Sequence, residues 1–343
     1  MIKGNLILEK RSGIKSFFLH WEWLLVILII IINVINARIS SYYLSVDGLL
    51  DATAVFMEKG FLILPMAFVI INGDIDISVA STMALTSVVM AVSYNSGVNM
   101  VVAILIALLL GTGCGFVNGL IISKFKELSA VIVTLSTMSI YRGIAYVILG
   151  DQASGGFPEW FSYLAHGYIG STPVPFILVM FLVCAVIFGF ILHKTTFGRR
   201  IYAMGNNIEA CRYSGVAVNK IKLIIFTLTG FMSAVSSIFL TSRLGSSRPN
   251  IAQGYELEVI AVVVLGGVST QGGTGKILGV TLSLFLIGLM RYGMGLKNVP
   301  GQVMMIIIGL LLIAAVMSPN ILSRLNTQKH KGYNYDTQLD TDN

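Results

Sequence analysis

The chain has 343 residues, of which 55% are hydrophobic and only 11% are charged. Soluble domains carry about 25% charged residues, so the composition excludes a soluble globular protein and indicates one that crosses a membrane several times. The net charge of +7 would indicate nucleic acid if it were clustered on a soluble face. The basic residues lie instead in short loops between apolar runs, so no nucleic-acid partner is expected.

The first 22 residues carry a cluster of basic side chains (Lys3, Lys10, Arg11 and Lys15). A Lys/Arg excess marks the cytoplasmic side of a membrane protein, so we expect a cytoplasmic N-terminal segment. The apolar run 23–36 follows. A cleaved signal peptide would look similar, but Ile35-Asn36-Ala37 is a poor cleavage site, which favours a retained anchor.

Nine further apolar segments follow in order: 60–72, 79–93, 100–122, 130–149, 175–192, 223–241, 257–267, 277–290 and 303–317. The chain is therefore predicted to be an all-α polytopic membrane protein of about 10 transmembrane helices, some short or broken, over residues 23–317. The basic loops alternate along the chain so that both termini are cytoplasmic. The polar tail 318–343 is expected to be disordered.

Two segments are interrupted by polar or glycine-rich backbone, at residues 72–78 and 266–275. Such backbone is tolerated at membrane depth only where protein buries it or where it lines a cavity. A pair of interrupted segments in two halves of a transporter points to the translocation pathway. The second break is not a phosphate-binding loop, because Ile277 follows Lys276 where Ser or Thr must hold magnesium. No metal or cofactor is expected in this chain.

Residues 193–222 form a basic loop between two apolar runs. Within it, residues 207–213 are predicted to form a short helix, with Asn206 or Asn207 capping its first amides and Gly215 ending it. A helix of two turns is not stable alone, so it needs something to dock on. By composition alone, the loop is also typical of an ordinary positive-inside loop.

The spacing of Glu209, Ala210 and Cys211, followed after three residues by Gly215, resembles the E-A-A-x-x-x-G signature of ABC-importer permease subunits. The resemblance implies a coupling helix that seats in a separate ATPase subunit, with the contacts made by Asn207, Glu209, Ala210, Cys211, Arg212 and Gly215. The copy departs from the family in two places. Cys211 replaces the second alanine, and residues 225–228 lack the proline of the downstream motif.

Within the first break, residues 74–78 resemble part of the G-G-I-D-L-S-V-G motif of the ribose-type branch of these permeases, with Asp76 at the family's aspartate. Asp74 and Ala80 stand where glycine is usual. Further colinear motifs lie at 132–135, 139–143, 196–207 and 256–273, and the resemblance covers about residues 56–316. By this resemblance, the chain is similar to permeases for ribose, rhamnose and autoinducer-2, within the branched-chain amino acid/monosaccharide permease superfamily.

This resemblance implies a type II-importer-like permease that moves a monosaccharide or similar small polar solute across a bacterial inner membrane, embedded in lipid. The implied partners are two ATPase subunits that carry ATP and magnesium, an extracytoplasmic substrate-binding protein, and a second permease subunit. That second subunit is either another copy or a sibling chain. Because the permease does no covalent chemistry, it is not expected to be an enzyme.

The candidate pathway residues are polar or charged side chains in or beside the spans: Asp76, Ser78, Asn118, Thr134, Arg142, Glu256 and Glu258. Arg142 lies inside an apolar span, where a charge marks a functional hypothesis, although snorkelling to the interface is equally compatible. Its candidate partners are Asp76, Glu256 and Glu258, and the sequence does not choose among them.

The alternative function is an ion-coupled secondary transporter or channel that uses Asp76, Glu256 or Glu258. It explains the broken helices but leaves the Glu209–Gly215 spacing as a coincidence. An intramembrane enzyme has little support, because the four histidines are scattered and neither H-E-x-x-H nor G-x-S-x-G occurs.

Overall fold

A computed structural model describes residues 21–40, 43, 45–304, 306, 307, 309, 310 and 313. The longer helices are α1 (Trp21–Ile39), α3 (Met57–Ile71), α4 (Val79–Asn95), α5 (Met100–Lys124), α6 (Ala130–Leu149), α8 (Phe176–Lys194), α11 (Val218–Leu244), α12 (Tyr255–Leu265) and α13 (Ile277–Leu296). The shorter ones are α2 (Val46–Ala54), α7 (Glu159–His166), α9 (Thr196–Asn206) and α10 (Ile208–Tyr213). Two short strands, β1 (Ser154–Gly155) and β2 (Ser246–Ser247), pair antiparallel.

The helices confirm an all-α membrane protein with short and broken spans. Within the described residues, α1, α5, α6, α8, α11 and α13 are each long and apolar enough to cross a bilayer. The pair α2 and α3, bent by 55°, passes the same test together as a seventh. Helices α4 and α12 are shorter, at 17 and 11 residues. The last expected segment, 303–317, and the tail 318–343 lie mostly or wholly outside the described residues.

Helix α3 lies at the centre of the bundle, and all fifteen of its residues are buried. Beyond Glu58 and Lys59 in its first turn, the helix is apolar all round, and such a helix must be surrounded by protein or lipid. Here other helices surround it. Phe61 stacks on Phe239 of α11 at a centroid distance of 4.7 Å, and Phe68 packs against Phe188 of α8 at 5.3 Å.

Helices α5 and α11 touch along their backbones. A Cβ atom on Gly115 would overlap the Phe226 carbonyl oxygen, and one on Gly230 would overlap the Gly111 carbonyl oxygen. Small residues permit such close approach between helices in lipid. Gly111 and Gly115 therefore serve packing, whereas Gly113 faces open space.

The bundle has two distinct ends. We call the end that carries residues 194–222 the basic end, and the end that carries residues 150–175 the loop end. Helix α8 runs from the loop end to the basic end, and α11 returns, since β2 after α11 pairs with β1 in the 150–175 loop. Both breaks in the backbone lie at the basic end, where α9 contacts them.

Candidate functional site

The short helix α10 has the local geometry that the sequence predicts. The Asn207 side chain caps it, because its Oδ1 accepts a hydrogen bond from the Ala210 amide at 2.9 Å. Gly215 follows with φ of +78°, a left-handed conformation that favours glycine. Asn207, and not Asn206, is therefore the cap. The role of this helix in coupling stays a prediction.

Helix α10 turns one face inward and presents the other to solvent. Cys211 is buried against the core, so the cysteine that replaces the family's alanine serves packing. Glu209 and Ala210 are exposed, and Glu209 forms an ion pair with Arg212 at 2.6 Å. Tyr213 is 91% exposed. Tyr213 was not among the predicted site residues, although it is the one aromatic residue of this helix.

Helix α9, directly before α10, touches both backbone breaks. A Cβ atom on Gly205 would overlap the Ile71 carbonyl oxygen and the Gly273 amide. The Gly273 amide itself donates to the Ile71 carbonyl at 2.8 Å, and the Tyr202 hydroxyl donates to the Gly275 carbonyl at 2.6 Å. Burial raises the pKa of Tyr202, so this hydroxyl keeps its proton. The two breaks, far apart in sequence, thus meet under one helix.

An ion pair adds a further connection at this end. The Lys222 ammonium of α11 lies 2.7 Å from the Asp74 carboxylate in the first break, and the Asn72 amide donates to the same carboxylate at 2.6 Å. Asp74 stands where the family has glycine, and its carboxylate is largely buried. The departure from the family pattern therefore provides a partner for a lysine of the basic loop.

Four of the predicted pathway residues form one buried network. Asp76 accepts hydrogen bonds from the Ser78 amide at 2.9 Å and from its hydroxyl at 2.7 Å. The Asn118 amide donates to the Ser78 hydroxyl oxygen at 2.8 Å, and the Thr134 hydroxyl oxygen accepts from the Ile77 amide at 3.2 Å. The network therefore joins the first break to α5 and α6.

Tyr141 completes this network and was not among the predicted site residues. Its hydroxyl lies 3.0 Å from the Cys114 carbonyl, to which it donates, and 3.3 Å from the Asn118 Oδ1. Asp76, Ser78, Asn118 and Thr134 are each at most 2% exposed, so in the described chain they do not line an open surface. Their role in the pathway stays a prediction.

The other three predicted pathway residues lie at the loop end, and Arg142 pairs with none of its three candidate carboxylates among the described residues. Its Nη1 donates to the carbonyls of Pro249 and Ile251 at 2.6 and 2.8 Å. The segment between β2 and α12 packs against α6 at Arg142, so in the described chain the guanidinium is bound by backbone carbonyls and not by a carboxylate. One Glu256 oxygen is buried without a hydrogen-bond partner in this part of the chain.

Glu258 belongs to a buried ionic cluster that the sequence analysis did not identify. Its carboxylate lies 2.7 Å from the Lys59 ammonium and 2.8 Å from the Arg291 guanidinium. Next to it, Arg243 pairs with Glu58 at 2.8 Å, and the Lys59 ammonium lies 4.3 Å from the centroid of the Tyr255 ring. The cluster joins the loop-end termini of α3, α11, α12 and α13.

Comparisons with known proteins agree with this architecture. The family described as branched-chain amino acid transport system, permease component, matches residues 48–316. The chain is 35% identical over 308 residues to the autoinducer 2 import system permease protein LsrD of Escherichia coli strain K12. The aligned region covers 88% of this chain and 92% of the relative. The same values hold for LsrD of Shigella flexneri.

A solved structure described as an inward-facing conformation of a metal-chelate type ABC transporter shares the fold. The TM-score is 0.52 at 14% sequence identity, over 87% of this chain and 98% of that chain. An identity this low shows the fold alone.

The family and the relatives together confirm the importer resemblance and remove the ion-coupled alternative. Glu258, one of the acids that alternative would use, is held between two cations, Lys59 and Arg291. The chain belongs to the branched-chain amino acid transport system permease family, and it is a multi-pass permease subunit of an ABC importer, not an enzyme.

Proposed function

We propose that this permease imports a monosaccharide or a similar small polar solute, of the ribose, rhamnose or autoinducer-2 class. The support is the 35% identity to permeases whose names state autoinducer 2 import, together with the ribose-type motif around Asp76. The chain works with two ATPase subunits, which hold ATP and magnesium, and with an extracytoplasmic substrate-binding protein. It lies in the bacterial inner membrane with the basic end, and so both termini, in the cytoplasm.

The single observation that carries the coupling mechanism is the seating of α10. Its exposed face, formed by Glu209, Ala210 and Tyr213, has nothing of the described chain over it. Its support, α9, contacts both backbone breaks through Gly205 and Tyr202. A displacement of α10 by an ATPase subunit is therefore transmitted to both breaks through a single helix, α9. ATP-driven motion of that subunit switches the pathway between outward and inward access.

The pathway itself runs between two permease subunits, a second copy or a sibling chain. Helix α6 supports this arrangement, because one of its faces is exposed and carries Ser136, Ser139 and Gly143. Among the described residues, both hydroxyls bond only to carbonyls of their own helix, at 2.9 and 3.3 Å. Thr134 on the same helix anchors the first break, so a motion of the break moves this face.

The test is uptake of labelled solute by cells that express the complete transporter. We expect Glu209→Ala and Gly215→Val to abolish uptake while the amount of permease in the membrane stays unchanged. Glu127→Ala is the matched control, since Glu127 is an exposed acid of another loop that also carries Lys124 and Lys126. Normal uptake by both α10 variants would contradict the coupling role.

The solute class is tested separately, with the substrate-binding protein present. Autoinducer-2, ribose and rhamnose should compete for uptake in some order, whereas leucine should not. Competition by leucine alone would overturn the sugar assignment and leave the coupling mechanism intact.

A further inference from the structure

A groove of about 870 Å³ runs along the outside of the bundle between α8 and α13. One wall is a single face of α8 formed by Leu182, Ala185, Val186 and Gly189, and the other contains Ile277 and Leu278 of α13. Val186 is 73% exposed and Leu278 62%. Gly189 adds no side chain to the space between the two walls, and a Cβ atom placed there would lie 3.9 Å from Ile277.

The basic end of this groove is charged, unlike its walls. His193, Arg199, Lys276 and the backbone of residues 273–275 line it there. Lys276 pairs with Glu22 at 2.7 Å, yet more than half of its side chain is exposed. Arg199 is exposed and forms no ion pair with the described residues. The groove mouth therefore has an excess of positive charge, from Arg199, above a slot that is apolar except for Thr281.

The length of the apolar part matches one leaflet of a membrane. From Leu182 to His193 the helix rises by roughly 16 Å at about 1.5 Å per residue. The hydrocarbon core of a bilayer is about 30 Å thick, so the groove extends over half of it. A molecule with an anionic head and an apolar chain of this length complements both parts of the groove.

We propose that this groove binds an anionic phospholipid, with the phosphate at Arg199 and Lys276 and an acyl chain along Gly189. Basic pockets between helices on the cytoplasmic side are typical sites for anionic lipid head groups. The bound lipid contacts α8, α9 and the second break at once. It therefore steadies the helix on which α10 is seated.

Two other occupants fit the charge less well. A second copy seated symmetrically in the groove would bring two sets of basic groups to the same end, where they repel each other. The chain's own segment 303–317 has no acidic residue, and Arg324, Lys329 and Lys331 precede the first acid after it, Asp336. Neither occupant brings a negative charge to Arg199.

The experiment is native mass spectrometry of the purified full-length chain in detergent, titrated with phosphatidylglycerol or with phosphatidylcholine of the same acyl chains. We expect the chain to retain phosphatidylglycerol preferentially. Arg199→Gln should weaken this retention about fivefold, the effect of one basic group near an anionic lipid surface. Arg199→Lys should keep it. The matched control is Arg200→Gln, which changes an adjacent exposed arginine outside the groove lining and should have no effect.

Gly189→Phe tests the apolar part, because it fills the groove without touching the charged end, and it should lower retention of phosphatidylglycerol. Equal retention of both lipids, or equal retention by wild type and Arg199→Gln, would overturn the proposal. So would a disulfide between two chains carrying Val186→Cys, or one between Val186→Cys and Leu310→Cys in one chain. Since binding is measured without an ATPase, the outcome is independent of the coupling mechanism.

Discussion

The two ends of the bundle are held together in different ways. At the loop end, charged side chains from four helices meet inside the protein around Glu258 and Glu58. At the basic end, α9 contacts the breaks through backbone, at Ile71, Gly205 and Gly273. One ion pair, Lys222–Asp74, lies beside them, and Glu209 of α10 faces solvent. Buried charges fix one arrangement, because separating them leaves a charge without a partner. Backbone contact between α9 and the breaks can transmit a displacement, and it leaves the exposed face of α10 available to another subunit.

The largest effect should come from the loop end. Glu258→Gln leaves Lys59 and Arg291 buried without their carboxylate, and breaking a buried pair costs about 3–5 kcal/mol. We expect a large fall in the midpoint of thermal unfolding in detergent. Glu159→Gln, which changes an exposed acid of the loop end that forms no ion pair with the described residues, is the control and should change the midpoint little. Equal stability of the two variants would show that the cluster does not hold the loop end.

At the basic end, a single methyl group should be nearly as damaging. Gly205→Ala places a Cβ atom where the Ile71 carbonyl and the Gly273 amide already lie. Overpacking costs about 1–3 kcal/mol, and we expect about 3 because the neighbours are backbone atoms that cannot change rotamer. The control is Gly113→Ala, which faces open space. Unfolding at the wild-type temperature would mean that α9 and the breaks do not need this contact.

The Lys222–Asp74 pair should have an intermediate effect. Its side chains are 14% and 12% exposed. We therefore expect its contribution to stability to lie between that of an exposed pair, about 0–1 kcal/mol, and the cost of breaking a buried pair, about 3–5 kcal/mol. We expect Asp74→Asn to cost about 2 kcal/mol. A double-mutant cycle with Lys222→Gln measures the coupling energy directly, and a coupling energy near zero would show that the two groups act independently.

The smallest effect on stability should come from the residue with the largest predicted effect on transport. The Glu209 side chain is 60% exposed in its pair with Arg212, and such pairs on helices contribute about 0.3–0.5 kcal/mol. Glu209→Ala should therefore unfold at nearly the wild-type temperature. A large loss of stability would reassign Glu209 from the exposed docking face to the internal support of the helix.

The apolar runs predict the spans well, because the thickness of a bilayer fixes how long such a run must be. The cap of Asn207 and the turn at Gly215 are also predictable, since each depends on residues a few positions apart. The ionic cluster is not. Lys59, Glu258 and Arg291 lie on separate helices, and which helix ends meet is decided by packing over the whole bundle.

The partners of Arg142 were also not predictable from the sequence. A search for carboxylates is the natural inference for an arginine inside a span, yet the oxygens that reach it belong to the backbone at Pro249 and Ile251. Every residue carries such a carbonyl, so the sequence gives no signal for it. Only the path of the segment before α12 brings these two oxygens to the guanidinium.

The glycine contact between α5 and α11 has a consequence for synthesis. Gly111 and Gly115 enter the membrane long before Gly230 leaves the ribosome, with the whole basic loop made in between. Until then α5 presents an uncovered groove of backbone to lipid or to a chaperone. A chain interrupted before α11 should therefore be a preferred target for membrane quality-control proteases, even though most of its spans are already complete.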